Sequence, residues 1–122
     1  MQYLLLIHDD ETEDREDLMP EYMAFSEALR GSGALVGANQ LQPAETATTV
    51  RVRSGDTLVT DGPFIETKET LGGYYLIECA DLDTALGHAS RMPNITYGSV
   101  EVRPVVDFSA IPDAGAQTSA TA

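Results

Sequence analysis

The sequence predicts an α+β sandwich, an antiparallel sheet with two helices packed on one face. Two short apolar runs, at residues 2–8 and 73–79, read as strands buried on both faces, because neither alternates with polar residues. Each run is followed by a stretch with helical spacing, and period-two segments fill much of the remainder. At 122 residues the chain fits one domain, large enough to bury a single core without disulfides or metal.

The first strand is Gln2-Tyr3-Leu4-Leu5-Leu6-Ile7-His8. Seven acids then crowd between Asp9 and Asp17, interrupted only by Thr12 and Arg15. That run reads as a solvated loop, and it lacks the glycine and closing Glu of an EF-hand. From Pro20 to Arg30 the spacing turns helical: Tyr22, Phe25 and Leu29 share one stripe, Pro20 suits a first turn, and Gly31 or Gly33 supplies the exit. A short strand at Ala34–Gly37 comes next, and then a loop holding Pro43.

Thr48–Arg53 and Thr57–Thr60 flank Ser54-Gly55-Asp56. Val50 and Val52 alternate with Arg51 and Arg53, so the unit is expected to be a hairpin with one wet face. After a loop over residues 61–71, Gly73–Cys79 is the second apolar strand. Asp81 caps a helix that carries Leu82, Ala85, Leu86 and Ala89 on one face and ends at Pro93, with His88 off the stripe. Ser99–Val105 is the last strand. From Asp107 the composition shifts to Ala, Ser, Thr, Gly and Pro. Residues 1–106 are therefore expected to form the domain, and 107–122 a flexible C-terminal tail.

Composition narrows the function. Lys plus Arg number 7 against 20 Asp plus Glu, a net charge of −13 that repels phosphate backbones and argues against direct nucleic-acid binding. No segment approaches the roughly 20 apolar residues of a membrane helix, and no signal peptide is apparent, so a cytoplasmic protein is expected. The lone Cys79 ends an apolar strand and reads as a small buried hydrophobe rather than a reactive thiol. P-loop, dinucleotide-glycine, nucleophile-triad and zinc-spacing patterns are absent, so no cofactor and no metal are expected.

Chemistry is concentrated in Thr60-Asp61-Gly62-Pro63-Phe64-Ile65-Glu66-Thr67-Lys68-Glu69 and the following Gly72-Gly73-Tyr74-Tyr75-Leu76-Ile77-Glu78. Asp-Gly-Pro is a turn in which Asp can bond back to the backbone, Gly permits positive φ and Pro fixes the next φ. Asp61 either caps that turn or serves a site. Glu66 and Lys68 suit a base and an electrophile on a small polar substrate, or an ion pair pinning the loop. His8, at a strand end, has the one side chain whose ordinary pKa lies near neutrality.

This segment resembles the signature of the DGPF branch of the YCII-related family. The resemblance extends to Met1–Ile7, Leu35–Ala38, Ala47–Arg51 and Val100–Pro104, and so covers nearly all of residues 1–106. It implies a ferredoxin-like domain that pairs into a dimeric α/β barrel. Pairing also has a physical motive, since residues 3–7 and 74–77 carry apolar side chains on both faces of a sheet that the helices cover on one. In the wider family a Pro-x-His opens the first helix and supplies a histidine thought to pair with an Asp. The matching residues here are Pro20-Glu21-Tyr22, which makes Tyr22 a fifth candidate beside Asp61, Glu66, Lys68 and His8.

Two functions follow as expectations. One is a cofactor-free lyase or isomerase acting on a small polar or aromatic molecule. The other, implied by the family's frequent association with extracytoplasmic-function sigma factors, is a non-catalytic ligand-sensing or protein-binding module. A homodimer with a possible small-molecule ligand is the expected assembly.

Overall fold

The computed structural model describes residues 1–10, 18–65 and 68–110. In chain order the elements are β1 (Gln2–Asp9), α1 (Met19–Gly31), β2 (Leu35–Gln40), β3 (Thr48–Arg53), β4 (Asp56–Asp61), β5 (Thr70–Glu78), α2 (Leu82–Ala89) and β6 (Ser99–Pro104). Four strands form an antiparallel sheet in the order β2-β5-β1-β6, while β3 and β4 pair separately. The α+β architecture expected from the sequence is present, and the strand order is consistent with a ferredoxin-like fold.

Alternation along β1 decides where the core lies. Tyr3, Leu5 and Ile7 are buried against Phe25 and Leu29 of α1, Ala85 and Ala89 of α2, and Tyr75 and Ile77 of β5. Both helices thus share one core on one side of the sheet. On the other side Leu4 stands opposite Leu76 and Leu6 opposite Tyr74. All four are half-buried, and among the described residues no helix packs over them.

Local chemistry sets the helix ends. Gly33 adopts φ 79°, its N–H donates to the Arg30 carbonyl at 3.1 Å, and the Ala34 N–H donates to the Leu29 carbonyl at 3.0 Å. That is a Schellman stop, in which the residue after the cap must be left-handed. Gly33, rather than Gly31, therefore ends α1. Asp81 begins α2 by accepting from the Thr84 N–H at 2.9 Å and from its hydroxyl at 2.7 Å. These two bonds, side-chain first, hold the Asp81 carboxyl below its ordinary pKa.

Three expectations need correction. Only the alanines of the α2 stripe are buried, while Leu82 and Leu86 are each 46% exposed. Ala85 and Ala89 let the helix approach the sheet closely, and the larger leucines are turned to its flanks. The Val50 face of the hairpin is not dry, since Val50 is 61% and Val59 65% exposed. Its base is tied by the Gly62 N–H to the Ala47 carbonyl at 2.7 Å and by the Thr49 hydroxyl to the Gly62 carbonyl at 2.9 Å. Beyond that base the hairpin projects, closed by a two-residue turn with Ser54 at φ 52° and Gly55 at φ 82°. Finally, the strands at 34–37 and 73–79 are longer than the apolar runs. Asn39 and Gln40 pair with Tyr74 and Gly73, and Thr70 and Leu71 with Asp9 and His8. Of the expected tail, residues 108–110 form a single 3-10 turn, and 111–122 lie outside the described residues.

His88 is half-buried on α2, and its Nδ1 accepts from Arg91 Nη2 at 3.1 Å. Burial, and then the Arg91 charge, lower its pKa. The unfolded chain therefore takes up a proton near the ordinary value of about 6.5 before the folded chain does. This contribution to stability is complete above that value and is lost as pH falls through the folded pKa. Urea unfolding at pH 7.5 and 5.5 should show a smaller loss of stability in His88→Gln than in the wild type. An equal loss in both would remove His88 from the acid response.

Candidate functional site

The alternation that sends Tyr3, Leu5 and Ile7 inward brings Asp9 to the same side at the end of β1. There Asp9 borders a cavity of about 380 Å³ between α1 and the sheet near the β2 edge. Ile7, Leu18, Met19 and Met23 contribute apolar wall, and Tyr22, Ser26 and Tyr75 bring polar oxygens. Tyr22 and Ser26 fall on one face of α1 because they stand four residues apart.

The wall is built by hydrogen bonds and ring packing. Tyr75 is 5% exposed, its hydroxyl lies 2.7 Å from Ser26 Oγ, and its ring meets Phe25 edge-on at 5.2 Å between centroids. A weaker bond runs from the Tyr75 hydroxyl to the Tyr22 carbonyl at 3.5 Å. Gly73 also lines the cavity, and a Cβ there would stand 2.9 Å from the Asn39 carbonyl oxygen. The Gly-Gly pair thus answers a close approach of β2 to β5.

Asp9 is held from behind. Asn94 is fully buried, and its Nδ2 donates to Asp9 Oδ1 at 2.8 Å, the Ser99 carbonyl at 3.2 Å and the His8 carbonyl at 3.3 Å. Three acceptors around one amide nitrogen tie the end of β1 to the start of β6. A Cβ at Gly98 would fall 2.5 Å from the His8 carbonyl oxygen, 2.8 Å from Asp9 Oδ1 and 2.9 Å from Asn94 Nδ2. Only glycine leaves room for this arrangement.

Asp10, next in sequence, is 5% exposed, and Lys68 Nζ lies 3.7 Å from its Oδ2. The acidic run therefore does not begin as a solvated loop. Its first two members are engaged in the fold, while residues 11–17 lie outside the described residues.

Of the four expected site residues that are among the described residues, Tyr22 alone lines this cavity. His8 points to the other face of the sheet, where Nε2 lies 3.2 Å from Glu101 Oε1, and Arg103 Nε is 3.7 Å from that carboxylate's second oxygen. Lys68 is 80% exposed and engages Asp10. Asp61 is exposed at the end of β4, and among the described residues nothing donates to its carboxylate; backbone bonds hold its turn instead. Glu66 lies outside the described residues. The sequence reading overlooked Asp9 and Asn94. Counting by twos from Tyr3 would have found Asp9; no local pattern signals Asn94.

The profile of the YCII-related domain matches residues 1–109. The chain belongs to the YCII-related family. It is similar to an uncharacterized protein of Rhizobium meliloti (strain 1021), 40% identical over 114 residues that cover 86% of this chain and 92% of that one. In this YCII-related chain Tyr22, where the wider family resemblance implies histidine, faces the cavity. Among the described residues no three of His, Cys, Asp or Glu are grouped to hold a metal, and no helix is long and apolar enough to cross a membrane. Burial foremost raises the Cys79 thiol above its ordinary pKa, which suits a packing role.

Two glycine substitutions separate close packing from open space. Gly98→Ala should destabilise by about 1–3 kcal/mol, because backbone must move to admit the methyl group. Gly87→Ala, in α2 with only Arg91 Nη1 at 3.9 Å, should stabilise by about 0.5–1 kcal/mol. Chemical denaturation measures both, and a neutral Gly98→Ala would contradict the packing at the end of β1. Asn94→Ala should cost about 1–3 kcal/mol by removing a buried donor and its hydrogen bonds to the His8 carbonyl, Asp9 and the Ser99 carbonyl.

Proposed function

We propose that this YCII-related protein is a small cofactor-free enzyme of the lyase or isomerase type. It would work in the cytoplasm as a homodimer, moving a proton on a small, partly apolar molecule held in the cavity. The observation that carries this reading is the meeting of the Asp9 carboxylate and Tyr22 at an apolar-walled cavity of about 380 Å³. Sites for small molecules combine such walls with a few placed polar groups. A carboxylate accepts the proton, and a phenol, with an ordinary pKa near 10, stays protonated and donates to the developing negative charge.

Supporting the homodimer is the sheet face bearing Leu4, Leu6, Tyr74 and Leu76. A second copy of the same face offers a self-complementary apolar cover, the arrangement of a two-fold interface. Light scattering at micromolar concentration should report twice the monomer mass. Leu6→Lys should yield a monomer, and a wild-type monomer would overturn the pairing.

A second reading, a ligand-sensing or protein-binding module, is favoured by the projecting hairpin, whose Val50, Val52 and Val59 are all more than half exposed. Proton exchange separates the two readings. A thermal-shift screen of small aromatic and alicyclic metabolites should give hits, since a ligand bound only by the folded state raises its melting temperature. For such hits, NMR in D₂O should show catalysed deuterium incorporation that Asp9→Asn abolishes and Tyr22→Phe slows by about 10- to 100-fold. Binding without exchange would favour the sensing module.

A further inference from the structure

We infer that the hydroxyl pair of Ser26 and Tyr75 is a carbonyl subsite. Ser26 Oγ donates there to the oxygen of a neutral ketone or aldehyde carried on an aromatic or alicyclic body. This inference rests on the reading of the cavity as a small-molecule site, and it adds the group recognised and the residues that hold it. Both side chains line the cavity, and their hydroxyl oxygens stand 2.7 Å apart. Tyr75 is 5% exposed and its ring is fixed edge-on against Phe25, so the pair is anchored from the sheet side.

Counting hydrogens gives the pair a direction. Each hydroxyl has one hydrogen and two lone pairs, and a mutual bond uses one of the two hydrogens. A phenol is a stronger acid than an alcohol, and so the better donor. The distances agree: the Tyr75 hydroxyl has Ser26 Oγ at 2.7 Å and the Tyr22 carbonyl at 3.5 Å, where a hydrogen bond is weak. Tyr75 therefore donates to Ser26, its partner among the described residues. The Ser26 hydrogen is then the one presented to a molecule in the cavity, and accepting from Tyr75 makes Ser26 the stronger donor.

The rest of the wall selects a neutral molecule. Ile7, Leu18, Met19 and Met23 supply apolar surface for a ring or chain. A carboxylate leaving water needs a cation, and Arg30, the cationic lining residue, is already paired with Glu27 at an exposed place. Asn39 Nδ2 donates to the Tyr74 hydroxyl at 2.8 Å, also within reach of solvent, where water competes with a ligand. A neutral donor set back in an apolar wall suits a neutral acceptor. A carbonyl is such an acceptor, and it also makes neighbouring C–H bonds acidic, in agreement with a proton-transfer reaction.

Three probes of nearly one shape isolate the oxygen: acetophenone, α-methylstyrene with a methylene group in its place, and benzoate with a charge. Binding is followed by NMR titration, and amide shifts at Ile7, Tyr22 and Gly73 locate the cavity. Ser26→Ala should weaken acetophenone about three- to tenfold and leave α-methylstyrene within about twofold. Tyr75→Phe should act in the same direction, because it withdraws the bond that aims the Ser26 hydrogen. The carbonyl carbon of bound, isotope-labelled acetophenone should resonate downfield in the wild type relative to Ser26→Ala, a mark of hydrogen bonding that a packing role would not leave. Benzoate should bind more weakly than acetophenone. Should Tyr75→Phe fold poorly, Ser26→Ala and the carbonyl resonance decide alone.

Equal losses for acetophenone and α-methylstyrene, an unmoved carbonyl resonance, or tighter binding of benzoate overturns the carbonyl subsite and leaves the cavity reading standing. Acetophenone binding that is indifferent to Ser26→Ala, or to a well-folded Tyr75→Phe, also overturns it. If none of the three shifts those amides, the small-molecule reading falls with it.

Discussion

One amide nitrogen holds the cavity end of this domain together. Asn94 Nδ2 gathers the His8 carbonyl, the Asp9 carboxylate and the Ser99 carbonyl, in a place that water does not reach. Inside a protein a lost buried hydrogen bond is costly, so a buried donor facing three acceptors is a strong constraint on the chain around it. It sets the approach of the α2–β6 connection to the end of β1. That approach in turn excludes a side chain at position 98, and it orients the carboxylate that borders the cavity. Removing the amide would disturb the sheet edge and the candidate site together.

The sheet divides the polar groups between two faces. Toward the helices, Asp9, Tyr22, Ser26 and Tyr75 border or frame the cavity. Away from them, His8, Glu101 and Arg103 line one margin of an apolar field made by Leu4, Leu6, Tyr74 and Leu76. Period-two geometry makes the division unavoidable, since adjacent residues such as His8 and Asp9 point to opposite sides. Two neighbours in sequence thus belong to different surfaces, one bordering the cavity and the other beside the apolar face of the sheet.

Much of the fold was legible in the sequence, for physical reasons that name particular residues. Pro20, Asp81 and Ser54-Gly55 carry local backbone preferences, and they mark a helix start, a helix cap and a hairpin turn in the folded protein. The stripe of Phe25 and Leu29 fixes how α1 is buried. The α2 face was read less well, because hydrophobicity alone favours Leu82 and Leu86, whereas close helix–sheet contact favours Ala85 and Ala89. Among the described residues the cavity was legible at Tyr22. Charged residues in the signature loop drew attention by their spacing, yet Lys68 serves Asp10, a partner across the fold that no local pattern names. Asn94 acts over more than eighty positions of sequence separation, so only the folded chain reveals it.

The projecting hairpin has a consequence for how the molecule breathes. An isolated two-stranded unit is marginal in water, and among the described residues β3 and β4 pair with each other and not with the four-stranded sheet. Its opening therefore need not involve the four-stranded sheet, and the backbone amides of β3 and β4 become a separate cooperative unit from those of β1 and β5. The domain carries an arm whose stability can be tuned, by sequence changes near Ser54 and Gly55 or by whatever settles on its valines, without loosening the core. Evolution could lengthen, stiffen or decorate that arm at little cost to the cavity, so diversity at its tip is compatible with an unchanged centre.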